Sequence, residues 1–219
     1  MSKKSQLVSG MGLATQMVAE VVRLAQEMGV PEERLHVLGT SEGVPYLRTL
    51  VTALAENPVV IQTEYLRQLF VGEAISVGAT DGTETIAKAR NVFVAGIDSD
   101  FVAWGLDVPS RPTKATKAIV CEITNDGTFA EVFESLNRSL DSLCWEQSQI
   151  VEFAKKYRDR ICEDRRATFF LFKVGNKFFV AYVHVHSDGG LHVYVDRFSN
   201  DNVWYAEDRH RFAVPQLIA

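Results

Sequence analysis

Residues 166–198 constrain the fold more than any other part of the chain. Arg166-Ala-Thr-Phe-Phe-Leu-Phe-Lys-Val174 is a Phe-rich run of strand length, and Lys177 to His186 and Leu191 to Phe198 are two more. Gly175-Asn176 joins the first pair as a two-residue hairpin signal, and Asp188-Gly189-Gly190 separates the second pair. Strands joined by such short turns form an antiparallel β-meander. Side chains alternate between faces along a strand, so the register of the second hairpin decides which groups share a face. A two-residue loop, Asp188-Gly189, leaves both faces mixed. A three-residue loop, Asp188-Gly189-Gly190 with Gly190 in the left-handed bulge position, makes Ala181, Val183, Val185, Val193 and Val195 one apolar face. That register is expected. It sets His186 opposite His192, His184 opposite Tyr194 and Tyr182 opposite Asp196.

The other face then gathers His184, His186 and His192, three of the chain's five histidines. Opposed β-carbons lie ~5 Å apart, and residues two apart on one strand roughly 6.5 Å. Three imidazoles at these spacings can converge on zinc or another divalent metal, with a position left for water. Asp196 would reach toward His184 and orient its ring. The competing reading is the commoner one. Histidine and tyrosine suit a half-exposed strand, and the same face turns apolar at its other end through Phe169, Leu171, Phe178 and Val180. A helix is expected there, with the histidines as the rim of that contact.

Phe- and Val-rich strands need a partner layer, and the preceding sequence supplies helices. Lys117 to Thr124 reads as a buried strand, Asn125-Asp-Gly127 as a turn, and Thr128 with Glu131 as a capping box at the start of a helix. A further helix is expected over residues 146–161. The first sixty residues are mainly helical: an apolar stripe from Leu13 to Met28 stops at Gly29, and a second runs from Val44 to Leu54 before Asn57-Pro58. Asn91 to Ile97 reads as a strand, and the tail from Val203 as an edge strand ended by Pro215. The expected class is α+β: a helical part over 1–110, a Pro-rich linker near 109–116, then strand, helix, helix and an antiparallel meander over 115–219, with helices on one face. The two parts can also form one integrated domain.

Several function classes lack their signatures. There is no GxSxG, P-loop, GxGxxG or HExxH motif. The three cysteines show no CxxC spacing, which fits a reducing cytoplasm rather than a disulfide framework. Lys3 and Lys4 precede an apolar stretch, but Ser9, Thr15 and Gln16 break it, so it does not read as a signal peptide. No run reaches the ~18 apolar residues of a membrane span. A net charge of −5 disfavours broad nucleic-acid binding without excluding a local basic patch. Cys144 beside Trp145 reads as packing before nucleophile, and Asp98-Ser-Asp100 as a turn before a cation site. Arg165-Arg166 and Arg209-His210-Arg211 read as ion-paired with Glu163, Asp164, Glu207 and Asp208 before an anion site formed where the tail packs beside the first meander strand.

The segments Val195-Asp-Arg-Phe198, Val203-Trp-Tyr-Ala-Glu207 and Arg209-His-Arg-Phe-Ala-Val-Pro-Gln216 resemble the ending of uncharacterised bacterial proteins. The resemblance covers about the last fifty residues, rests on no catalytic motif, and implies a bacterial or bacteriophage-type context and a β-rich C-terminal half. The expected function is that of a non-enzymatic binding or regulatory protein. Its partner would be another protein, met through the hairpin and tail by Tyr182, Tyr194, Trp204, Arg209 and Arg211. The alternatives are a metal-dependent hydrolytic enzyme built on the three histidines, and a nucleic-acid-binding protein.

Overall fold

A computed structural model describes residues 10–49, 63–163 and 166–216. The chain divides into two compact units, 1–59 and 60–219. The first unit is helical over its described residues: α1 (Gly10–Glu27), α2 (Glu32–His36), two short 3-10 turns, and α3, described over residues 44–49. Gly29 ends α1 as expected. It takes φ +69°, its N–H donates to the Gln26 carbonyl, and the Val30 N–H donates to Ala25. This Schellman motif satisfies carbonyls that the last turn would leave unpaired. The leader before Gly10 and the stripe beyond residue 49, with Asn57-Pro58, lie outside the described residues.

The second unit is built on a mixed sheet. Its strands are β1 (Leu66–Leu69), β2 (Ile75–Val77), β3 (Gly96–Ile97), β4 (Thr116–Ile123), β5 (Thr168–Val174), β6 (Lys177–Val185), β7 (Leu191–Arg197) and β8 (Arg211–Gln216). The order across the sheet is β1-β4-β8-β5-β6-β7-β3, with β2 also on β4. The meander β5-β6-β7 is antiparallel, whereas β8 runs parallel to β5 and β3 parallel to β7.

The α+β class holds, with a wider helical cover than one face. Helix α6 (Gln147–Lys156) places Ile150, Val151, Phe153 and Ala154 in a core with Val120, Phe170, Phe172, Ala181, Val183 and Val193. Helices α4 (Phe129–Glu134) and α5 (Leu140–Leu143) cover the opposite set, Ile119, Cys121, Phe169, Leu171, Val180 and Phe212. The strands show why: β5 reads buried at five consecutive positions, and only a sheet covered on both sides buries both sets of an alternating strand. The capping box appears as expected, with the Thr128 hydroxyl accepting from the Glu131 N–H and the Glu131 carboxylate accepting from the Thr128 N–H.

Three expectations are corrected. Residues 66–77, placed in the helical part, contribute β1 and β2, whereas β3 forms at the end of the strand expected over Asn91–Ile97. β1 and β2 have three or four residues each, too short to show a period. The Pro-rich stretch 109–116 is stitched into the fold rather than linking two bodies: Thr113 and Thr80 exchange backbone bonds, and the Ser110 N–H donates to the Gly82 carbonyl. The tail is not an edge strand, because β8 lies between β4 and β5. Pro215 is tolerated there because the β5 ladder reaches only Arg211 and Phe212. Beyond it Trp145 wedges between the two strands, its N–H donating to Leu171 and its indole Nε1 to the Ala213 carbonyl at 2.8 Å. Among the described residues no helix is long and apolar enough to cross a membrane.

Candidate functional site

The second hairpin has the expected three-residue loop, set one residue earlier. The His186 N–H donates to the Gly190 carbonyl, Gly189 takes φ +83°, and Ser187-Asp188-Gly189 forms the turn. The Asp188 carboxylate accepts from the Gly190 N–H at 2.7 Å and fixes that geometry. Gly190 is reserved for another purpose. A β-carbon there would lie 2.9 Å from that of Ala95, on the approach to β3. The shift keeps the faces and changes the pairs: His184 opposes His192, Tyr182 opposes Tyr194, and Val180 opposes Asp196.

On the face shared with α4 and α5, four rings stand nearly parallel. His192 and Tyr194 stack at 4.2 Å and 14°, His184 and Tyr194 at 5.7 Å and 15°, Tyr182 and Tyr194 at 5.1 Å and 16°, and His184 and His192 at 5.6 Å and 28°. Stacked imidazoles present faces to one another. Metal ligation needs ring nitrogens converging on one point. His186 stands apart, exposed, with its Nδ1 3.4 Å from Asp188. Among the described residues no three His, Cys, Asp or Glu side chains are grouped to hold a metal ion, so the three-histidine site is corrected. Asp196 does not reach His184. It is half-buried opposite Val180, and burial raises its carboxyl above the ordinary value, with Asp98 and Asp100 adding to the rise against a hydrogen bond from Asn200. Asp98 is spent on local structure, accepting from the Asp100 and Val195 N–H groups.

A groove of about 940 Å³ opens beside the rings. The hairpin contributes Tyr182, His184, His186, Ser187 and Tyr194, the tail Trp204 and His210, and the approach to β5 Arg166 and Ala167. The tail reaches the site because β8 pairs with the start of β5, Thr168 opposite Arg211 and Phe169 opposite Phe212. Phe169 ties the wall together, with its centroid 4.6 Å from Trp204, 5.3 Å from His210 and 6.0 Å from Tyr182. His210 is 5% exposed, and its Nδ1 accepts the Ala167 N–H at 3.0 Å. Its remaining proton in the neutral form therefore sits on Nε2, 3.6 Å from an Asp208 oxygen. The indole Nε1 of Trp204 is buried without a hydrogen-bond partner among the described residues.

His184, His192 and His210 are held neutral. Burial lowers His184, and the neighbouring His192 and His186 push the same way. Burial and His186 lower His192 against the pull of Asp98. Burial lowers His210 further than nearby Asp208 raises it, and Arg166 adds to the fall. Burial and the charge of Asp196 raise Tyr182. His184 and His210 in the wall are thus neutral at neutral pH, and Arg166 supplies a fixed positive charge.

The expected surface residues divide. Tyr182, Tyr194 and Trp204 line the groove, whereas Arg209 and Arg211 do not. Arg209 sits exposed at a turn with φ +52°. Arg211 donates to the Arg160 carbonyl at 2.8 Å, and its guanidinium lies 5.5 Å from the Phe70 ring, so it anchors the fold. The expected Arg166–tail juxtaposition forms through His210 rather than through the two arginines; Arg165 lies outside the described residues. Cys144 is no nucleophile: burial first and then Asp141 push its thiol up to about 12, leaving no thiolate at neutral pH.

Reasoning from sequence missed the support behind His192. Gly96 takes φ +154°, and a β-carbon there would lie 2.8 Å from the His192 ring. Gly96→Ala is therefore expected to displace the ring and open the His192–Tyr194 stack. The ring-current shifts of Tyr194 in NMR spectra would report it; unchanged shifts would mean that the ring is held by something other than β3. No family model, curated protein or solved structure matches the chain.

Proposed function

We propose that the protein is a binding protein whose recognition surface is the groove between the second hairpin and the tail, with no covalent chemistry of its own. One observation carries this reading: a wall of near-parallel, half-exposed rings borders a cavity of about 940 Å³. Ligand sites are concave, of about 300–1,000 Å³, and lined by aromatic groups with a few placed polar ones. Rings held parallel by a sheet stack on planar partners at low entropic cost. Packing of the sheet alone does not require Tyr194 or His184 to face open space.

The alternatives draw less support. A hydrolytic metal site needs converging nitrogens, and the imidazoles are stacked. A nucleic-acid groove needs a track of cations, and Arg166 is the one arginine or lysine among the residues lining this groove.

The test is a screen of uncharged aromatic fragments by NMR, following the side chains of Tyr182, Tyr194 and Trp204. Fragments that shift these signals, and cease to do so in a Tyr194→Ala variant of unchanged melting temperature, support the reading. Fragments that bind only elsewhere, or not at all, count against it.

A further inference from the structure

The groove's one fixed charge is a cation, and two of its N–H groups stand out. His210 Nε2, which carries the ring proton, makes only a long 3.6 Å contact with an Asp208 oxygen. Trp204 borders the groove, and its buried indole N–H has no hydrogen-bond partner among the described residues. Arg166 adds an exposed guanidinium. No carboxylate is among the lining residues. A single cation with no opposing carboxylate in the lining selects a ligand carrying negative charge, while the Tyr, Ser and His side chains can donate or accept as the ligand requires. The ring wall selects a planar face. Tyr182, His184 and Tyr194 belong to one set of parallel planes, so a flat ring entering the groove extends a stack already built. The neutral His184 and His210 rings favour this, because a protonated ring would attract any anion without regard to shape.

Charge also limits the ligand. One guanidinium matches one anionic group. A chain of net charge −5 repels an extended polyanion, which gains affinity only by engaging many cations. We infer that the groove takes a single small molecule that joins a planar aromatic ring to one anionic group, of the chemistry and size of a nucleoside monophosphate. The inference rests on the groove being a binding site and adds the class of its ligand.

The experiment uses the full chain and three probes: AMP, adenosine and ribose 5-phosphate, each titrated calorimetrically and by Trp fluorescence. AMP is expected to bind at least about tenfold tighter than either half-molecule, because ring and anion contribute together. Arg166→Ala should reduce AMP to the level of adenosine. Tyr194→Leu, which keeps bulk but removes the ring plane, should reduce it to the level of ribose 5-phosphate. Equal binding of AMP and ribose 5-phosphate would overturn the inference, since only the anion would matter. Equal binding of AMP and adenosine, insensitive to Arg166→Ala, would overturn it while leaving the groove a binding site for uncharged rings. Oligoadenylate binding that tightens with length would overturn it in favour of a strand. Failure of all three probes together with failure of uncharged fragments would remove the binding site itself.

Discussion

Replacing Phe169 with alanine is expected to lower the unfolding free energy by about 3–5 kcal/mol and to disorder the groove wall at the same time. Phe169 is fully buried at the centre of a ring cluster, touching Phe129 and Phe212 in the core and Tyr182, Trp204 and His210 at the site. Removing it opens a cavity that these five rings can fill only by leaving their present planes. Phe153→Ala makes the control. Phe153 is equally buried and packs against Trp145, Tyr157 and Phe170 in the core beneath α6. Both variants should lose similar stability in urea titrations, but only Phe169→Ala should change the emission and near-UV dichroism assigned to Trp204. Equal optical changes in the two would mean that the groove is not a local consequence of the Phe169 cluster.

Acidification should destabilise the second unit, beginning at mildly acidic pH. His184, His192 and His210 are all held below the ordinary imidazole value of 6.5 in the folded state. The unfolded chain therefore binds more protons than the folded one in the window between the folded and unfolded values. Stability is fully present above pH 6.5, is lost as the pH falls from there through the folded-state values, and changes no further on this account below them. His210 is the most enclosed of the three, so His210→Asn should flatten the dependence measurably, with the amide oxygen replacing Nδ1 as acceptor for the Ala167 N–H. His210→Ala leaves that buried N–H unpaired and should cost about 1–3 kcal/mol at neutral pH. Carboxylates act lower on the scale. Asp107, held down first by the Thr85 hydroxyl and then by Lys88, loses its contribution only near and below the ordinary carboxylate range. Urea midpoints that stay flat between pH 7.5 and roughly 5.5 would show that the imidazoles protonate without penalty.

The meander, its turns and the Thr128 capping box were legible because each is a local code: alternation, a Gly-Asn pair, a hydroxyl three residues before a carboxylate. The division of the hairpin into an apolar and a ring-bearing face was legible for the same reason. The exact cross-strand pairs were not, because two placements of a three-residue loop give the same faces. What selects between them is Gly190 packed on Ala95, a contact across ninety-odd residues that alternation does not encode. The groove was half visible. Tyr182, Tyr194 and Trp204 stood out by type, and the Arg166–tail proximity by charge. The convergence of the histidines on a metal failed because proximity in register brings side chains together without fixing whether nitrogens or ring faces meet. Residues 66–77 were misplaced since β1 and β2 take their strand character from β4, not from their own sequence.

The position of β8 has a consequence for how the polypeptide comes into being. Its residues 211–216 leave the ribosome after every other strand, yet they fill the gap between β4 and β5. Until they arrive, the nascent chain holds two unsatisfied strand edges and an incomplete apolar layer. The joining of β4 to β5 through β8 therefore comes after the meander and the β1-β4-β2 pairing can form, and until then those edges are open to pairing with the same edges on neighbouring chains.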